Sequence, residues 1–191
     1  MSDTTTLADG LYFGEGPRWH DGRLWFSDFY AQAVKSIDES GQLRTELELD
    51  DQPSGLGWLP DGRLLVVAMK ERAVKRLDPT GLVLHADISH LTAHLCNDMV
   101  VDAQGTAWVG NFGFDLDAEL KARGIEVLAD HPVTNLVRID ADTTRAPGTY
   151  EAALRAVGAA VFAVDEVMTG KAVNAFCAVR PPGHHATRDE T

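Results

Sequence analysis

Three short segments of this 191-residue sequence bring together side chains suited to chemistry. In Gly14-Glu15-Gly16-Pro17 a carboxylate precedes a Gly-Pro step, and at the inner end of a first strand it can point toward a central axis. Hard divalent cations prefer such oxygens, with amide carbonyls and water completing the shell. Cys96-Asn97-Asp98 supplies an amide and a second carboxylate. Arg180-Pro181-Pro182-Gly183-His184-His185 sets two imidazoles side by side, groups whose pKa near neutrality suits proton transfer. His90 and His94 are spaced i, i+4, but no Glu follows His90, so the metalloprotease pattern is not met. They are expected to be surface histidines in a turn. The sequence holds no phosphate-cradling Gly-rich loop and no serine nucleophile elbow.

The elements that must position Glu15 and Asn97 repeat along the chain. Asp21-Gly22-Arg23-Leu24 returns as Asp61-Gly62-Arg63-Leu64, and Ala33-Val34-Lys35-Ser36-Ile37-Asp38 returns as Ala73-Val74-Lys75-Arg76-Leu77-Asp78, both at an offset of forty. A third copy opens at Asp102-Ala103-Gln104-Gly105 and closes at Leu136-Val137-Arg138-Ile139-Asp140. Its two ends are separated by an insertion, roughly Phe112 to Pro132, with helical character over Asp117–Leu128. Asp-Gly admits the positive φ angles of a tight hairpin, and Val, Ile, Leu and Trp alternate with polar residues as in half-buried strands. A forty-residue period of short antiparallel strands predicts propeller blades. The fold class expected is mainly β, about three blades of a propeller over residues 10–140, followed by a short α/β fragment over 142–191.

That fragment reads as one helix and one strand. Thr149 is a candidate N-cap, Glu151 complements the dipole, and Gly170 lies just past the end of a helix over Tyr150–Met168. Leu154, Val157, Val161, Val164 and Met168 form its apolar stripe, and Ala175-Phe176-Cys177-Ala178-Val179 reads as a buried strand.

Both halves resemble known families. Phe13-Gly14-Glu15-Gly16-Pro17-Arg18-Trp19, Cys96-Asn97-Asp98-Met99-Val100-Val101-Asp102 and Trp108-Val109-Gly110-Asn111 resemble the gluconolactonase family, which includes senescence marker protein (regucalcin) and luciferin-regenerating enzyme. The resemblance implies a six-bladed propeller with one divalent cation, calcium or zinc, on its axis, hydrolysing sugar lactones or related esters. By it, Glu15 takes the metal-binding position and Asn97 the substrate-contacting one. The basic residue expected two positions before the asparagine is Leu95, and the family's further metal ligands come from blades beyond these three. Asp142-Thr143, Pro147-Gly148-Thr149-Tyr150-Glu151-Ala152-Ala153-Leu154 and Arg180–His185 resemble histone deacetylases and acetylpolyamine amidohydrolases. There His185 would be the general base and His184 its electrostatic partner, beside a zinc whose Asp, His and Asp ligands lie downstream of the pair.

Composition narrows the partners. The chain carries a net charge of −12. Residues 141–191 hold 6 acids and 5 bases, leaving 23 against 12 in the front section, or −11. Such a field disfavours nucleic acid and anionic membranes. No apolar run approaches the ~18 residues of a membrane span, and Met1–Gly10 has no signal-peptide pattern. Cys96 and Cys177 lack metal-ligand spacing and fit a reducing compartment, so the cytoplasm is the expected location. Three readings remain open: a lactone or ester hydrolase, a deacetylase fragment requiring zinc ligands from elsewhere, and a non-catalytic fusion, with Asp140-Ala141-Asp142 as the crossover. Three blades would leave two apolar faces, which predicts self-association.

Overall fold

Asp21 and Gly22 hold φ of 47° and 75°, the left-handed pair that a two-residue hairpin turn demands. They join β1 (Gly14–His20) to β2 (Arg23–Asp28), and β3 (Ala33–Ile37) and β4 (Leu43–Glu48) complete an antiparallel sheet in the order β1-β2-β3-β4. The second sheet repeats this with β5 (Pro53–Trp58), β6 (Leu64–Ala68), β7 (Ala73–Asp78) and β8 (Gly81–Asp87). The third holds β9 (Cys96–Val101), β10 (Ala107–Asn111) and β11 (Leu136–Ile139). These features come from a computed structural model that describes residues 4–140, 159, 162–163 and 167–171. The chain divides into two compact units, Met1–Thr144 and Arg145–Thr191.

The first unit is the expected set of three blades. A fourth, outer strand in the first two blades goes beyond the three-strand repeat. The first of these outer strands, Leu43-Arg44-Thr45-Glu46-Leu47-Glu48, has no buried residue, so burial imposes little pattern on it. In the insertion of the third blade, α1 (Leu116–Arg123) is capped by Asp115, whose side chain accepts the Ala118 N–H at 3.0 Å, and a 3-10 turn follows over Gly124–Ala129. His90 and His94 are exposed between β8 and β9, as expected.

Two apolar clusters bind the blades. Val34, Leu56, Leu64 and Val66, with Trp25, Leu47 and Trp58 against them, join the first blade to the second. A larger cluster including Leu65, Val67, Met69, Val74, Cys96, Met99, Val109 and Val137 joins the second to the third. The outward faces of the end blades differ. Leu11 lies beside Gly14 and Phe26, Leu7 lies beside Gly41, and Phe26 and Ile37 are buried on the first blade. On the third, Val100, Trp108 and Leu136 are exposed, with the Arg138 guanidinium 5.8 Å from the Trp108 ring centre.

In the second unit Ala159, Phe162, Ala163, Val167 and Met168 are helical, and Met168 is exposed. Gly170, at φ 74°, returns its N–H to the Val167 carbonyl at 3.1 Å, where the helix end is expected. The expected strand over Ala175–Val179, together with His184 and His185, lies outside the described residues.

Candidate functional site

Glu15, Ser54 and Asn97 are each the second residue of the inner strand of their blade. Each of the three inner hairpins carries an irregularity close by, with register shifts between Glu15 and Arg18, Pro53 and Leu56, and Val109 and Asn111. Bulges of this kind re-aim side chains at strand ends. In β1 the pairs Glu15–Ser27 and Arg18–Trp25 leave Gly16 and Pro17 opposite Phe26 alone. Gly16 accordingly sits at φ 60°, and a Cβ there would lie 3.3 Å from the Ser54 carbonyl oxygen, so glycine suits both the twist and the close approach.

The three strands converge on Ser54. Its hydroxyl donates to Asn97 Oδ1 at 3.2 Å, and its carbonyl accepts from the Ser27 hydroxyl at 2.6 Å. Burial pushes the Glu15 carboxyl above its ordinary range; the Ser54 hydroxyl draws it back in part, and the Asp98 charge adds to the rise. Glu15 Oε1 is buried and has no hydrogen-bond partner among the described residues. Asp98 is engaged elsewhere: its Oδ1 accepts from Arg18 Nη2 at 2.7 Å and from the Met99 N–H at 2.8 Å. Arg18 also donates to the Met99 carbonyl at 2.6 Å, so β1 reaches across to β9.

The structure therefore brings Glu15 and Asn97 to one end of the unit. An orphaned carboxylate oxygen beside a hydroxyl and an amide is a set of hard oxygen donors, which fits a divalent cation in kind. It falls short in number: calcium takes six to eight oxygens, and among the described residues no group of three or more His, Cys, Asp or Glu comes together.

Ser54 is the member that the repeat did not reveal. The hairpin of the first blade turns on two residues, Asp21-Gly22, with His20 paired to Arg23. The second turns on Pro60-Asp61-Gly62, closed by Leu59 N–H to Arg63 O at 2.9 Å and Gly62 N–H to Leu59 O at 2.9 Å. One extra turn residue moves the inner strand back by one, so the equivalent of Glu15 lies thirty-nine positions on, at Ser54, and not forty. Comparing turn lengths would have found it.

Comparison with known proteins gives the family and the fold. The model of the SMP-30/Gluconolactonase/LRE-like region matches residues 13–154. The solved gluconolactonase of Xanthomonas campestris superposes with a TM-score of 0.54 at 21% identity, over 73% of this chain and 48% of that one. A second solved structure, of a protein assigned as a gluconolactonase, gives 0.50 at 20% identity over 73% and 52%. Type-2 histone deacetylase 1 of Dictyostelium discoideum is 50% identical over 50 residues, 26% of this chain and 3% of the relative. A histone deacetylase-like amidohydrolase of Pseudomonas aeruginosa is 37% identical over 76 residues, 34% of this chain and 20% of the relative. The chain thus spans about half the length of the solved relatives and a fifth or less of these two deacetylases.

Proposed function

The chain belongs to the SMP-30/gluconolactonase/LRE-like family, and from that premise we propose a cation-dependent hydrolase site for lactones or related esters, built on Glu15, Ser54 and Asn97. The observation that carries this is the buried Oε1 of Glu15, without a hydrogen-bond partner among the described residues, at the position where three inner strands meet. Glu15 and Ser54 hold the cation, calcium or zinc, through oxygen. When bound, it polarises the substrate carbonyl and acidifies a water. The Ser54 hydroxyl fixes Asn97 through Oδ1 and leaves the Nδ2 hydrogens for a substrate oxygen. In the net reaction the oxygen of water bonds to the carbonyl carbon and the ring or ester C–O bond breaks. The departing oxygen takes up a proton from the water, giving a hydroxy acid from a lactone, or an acid and an alcohol from an ester.

Two side chains alone hold a cation weakly, so turnover requires further oxygen ligands and is slow or absent without them. Calorimetric titration of calcium and of zinc should give dissociation constants of about a millimolar, with binding lost in Glu15→Ala. Binding indifferent to Glu15→Ala would overturn the assignment, and micromolar affinity that depends on Glu15 would mean a more complete shell.

The deacetylase-named relatives favour a second reading for residues 142–191: a deacetylase-like fragment with His185 as general base and His184 as its electrostatic partner. An acetyl-lysine assay of residues 1–191 with added zinc is expected to show no turnover, because the resemblance puts the zinc ligands outside residues 142–191. Chelator-sensitive turnover that disappears in His185→Ala would establish a working amidohydrolase instead.

A further inference from the structure

Two residues ahead of Glu15, Ser54 and Asn97, the chain carries Phe13, Gln52 and Leu95. The ladders continue that far in all three blades. The Phe29 N–H donates to the Phe13 carbonyl at 3.0 Å, Met69 to Gln52 at 3.0 Å, and Phe112 to Leu95 at 2.9 Å. Strand alternation then brings Phe13, Gln52 and Leu95 out on the same face as the three site residues, about 7 Å further along. Phe13 meets the rings of Phe29 and Tyr30 edge-on at 5.1 and 5.9 Å, and Phe29 stacks on Tyr30 at 4.2 Å. Phe13 and Tyr30 remain half exposed. None of the six residues in these rungs is cationic. The polar member of the outer rung, Gln52, is 6% exposed, and its Oε1 has no hydrogen-bond partner among the described residues.

We infer that the substrate is a lactone or ester with an alkyl or aryl body and a single O–H or N–H donor. The body lies against Phe13, Tyr30 and Leu95, and the donor serves Gln52 Oε1. This rests on the hydrolase reading of Glu15. A sugar lactone would bring a ring of hydroxyls to this collar, where one acceptor cannot replace the water they lose. An apolar body gains from the same surface.

The test uses hydrolysis-resistant lactams, so that binding is read without turnover. A phenyl-substituted δ-lactam with one hydroxyl should bind the full chain about tenfold tighter than a polyhydroxylated δ-lactam. Phe13→Ser and Tyr30→Ser, both at half-exposed positions, should each remove most of that preference, with circular dichroism confirming the fold. Equal or tighter binding of the polyhydroxylated lactam overturns the inference, and so does binding of neither. Both outcomes leave the hydrolase reading to the Glu15→Ala cation titration, which decides it independently.

Discussion

Where β5 meets β9 the two strands close to backbone contact at two glycines, whereas where β5 meets β1 only Gly16 comes near the facing backbone, and polar and aromatic side chains join an apolar cluster in filling the rest. A Cβ on Gly55 would fall 2.2 Å from the Met99 nitrogen, and one on Gly57 would fall 2.3 Å from Val101 Cγ2. Around that seam lies the larger apolar cluster. At the other seam the Ser27 hydroxyl bonds the Ser54 carbonyl, and toward the far ends of the strands His20 stacks on Trp58 at 3.9 Å with Trp25 edge-on to Trp58 at 5.5 Å. One seam is fixed by close shape, and the other adds directed bonds and ring contacts to its smaller apolar cluster. The candidate site draws on both: Asn97 rides on the close-packed seam, while Glu15 rides on the other.

Gly55→Ala is the strongest way to break this contrast. The added methyl meets backbone, which cannot rotate aside, so β5 and β9 must separate. A loss of about 3 kcal/mol is expected, the upper range for overpacking a core, read as a lower urea midpoint at unchanged slope. The same substitution at Gly22, where a Cβ meets nothing within 4 Å, should cost less, from its positive φ alone. Equal losses at the two positions would show that close approach is not what holds the second seam.

The sequence and the structure agree where local chemistry decides the outcome. The Asp-Gly turns, the paired repeats and the helical insertion were legible because turn residues and alternation act over a few positions. The segments holding Glu15 and Asn97 were legible as family segments through their resemblance, and both residues fall second in inner strands that flank Ser54. The seams were not legible. Gly55 and Gly57 read as weak strand residues until β9 is seen lying against them. Arg18 bonding Asp98 and Met99 joins positions 80 and 81 residues apart, a separation no local pattern encodes. Ser54 was hidden by a single extra residue in a turn.

Acid should affect the first blade before the seam between the second and third. Asp28 is fully buried at the end of β2, where its Oδ1 accepts the Tyr12 and Phe13 N–H groups at 3.0 and 2.8 Å and its Oδ2 pairs with Lys35 Nζ at 2.6 Å. Burial alone would raise this carboxyl, but the Lys35 and backbone donors outweigh it and hold the carboxyl below its ordinary range. A carboxylate more acidic in the folded than in the unfolded chain contributes stability above the unfolded pKa, and that contribution is lost as pH falls through the folded one. Asp28→Asn keeps an acceptor for the two N–H groups and removes the charge facing Lys35, so it should cost about 2 kcal/mol at neutral pH. The cost should shrink once the pH passes below the ordinary carboxylate range, because the wild-type chain is then losing the same charge. Hydrogen exchange followed by mass spectrometry can localise the effect. Protection in β1 and β2 should fall with pH in the wild type and start low in Asp28→Asn, while β9 and β10 keep theirs. The cluster around β9 and β10 is apolar and contains no carboxylate. Uniform loss across all three blades would mean that the two seams unfold as one unit, and the difference between them would then be one of construction alone.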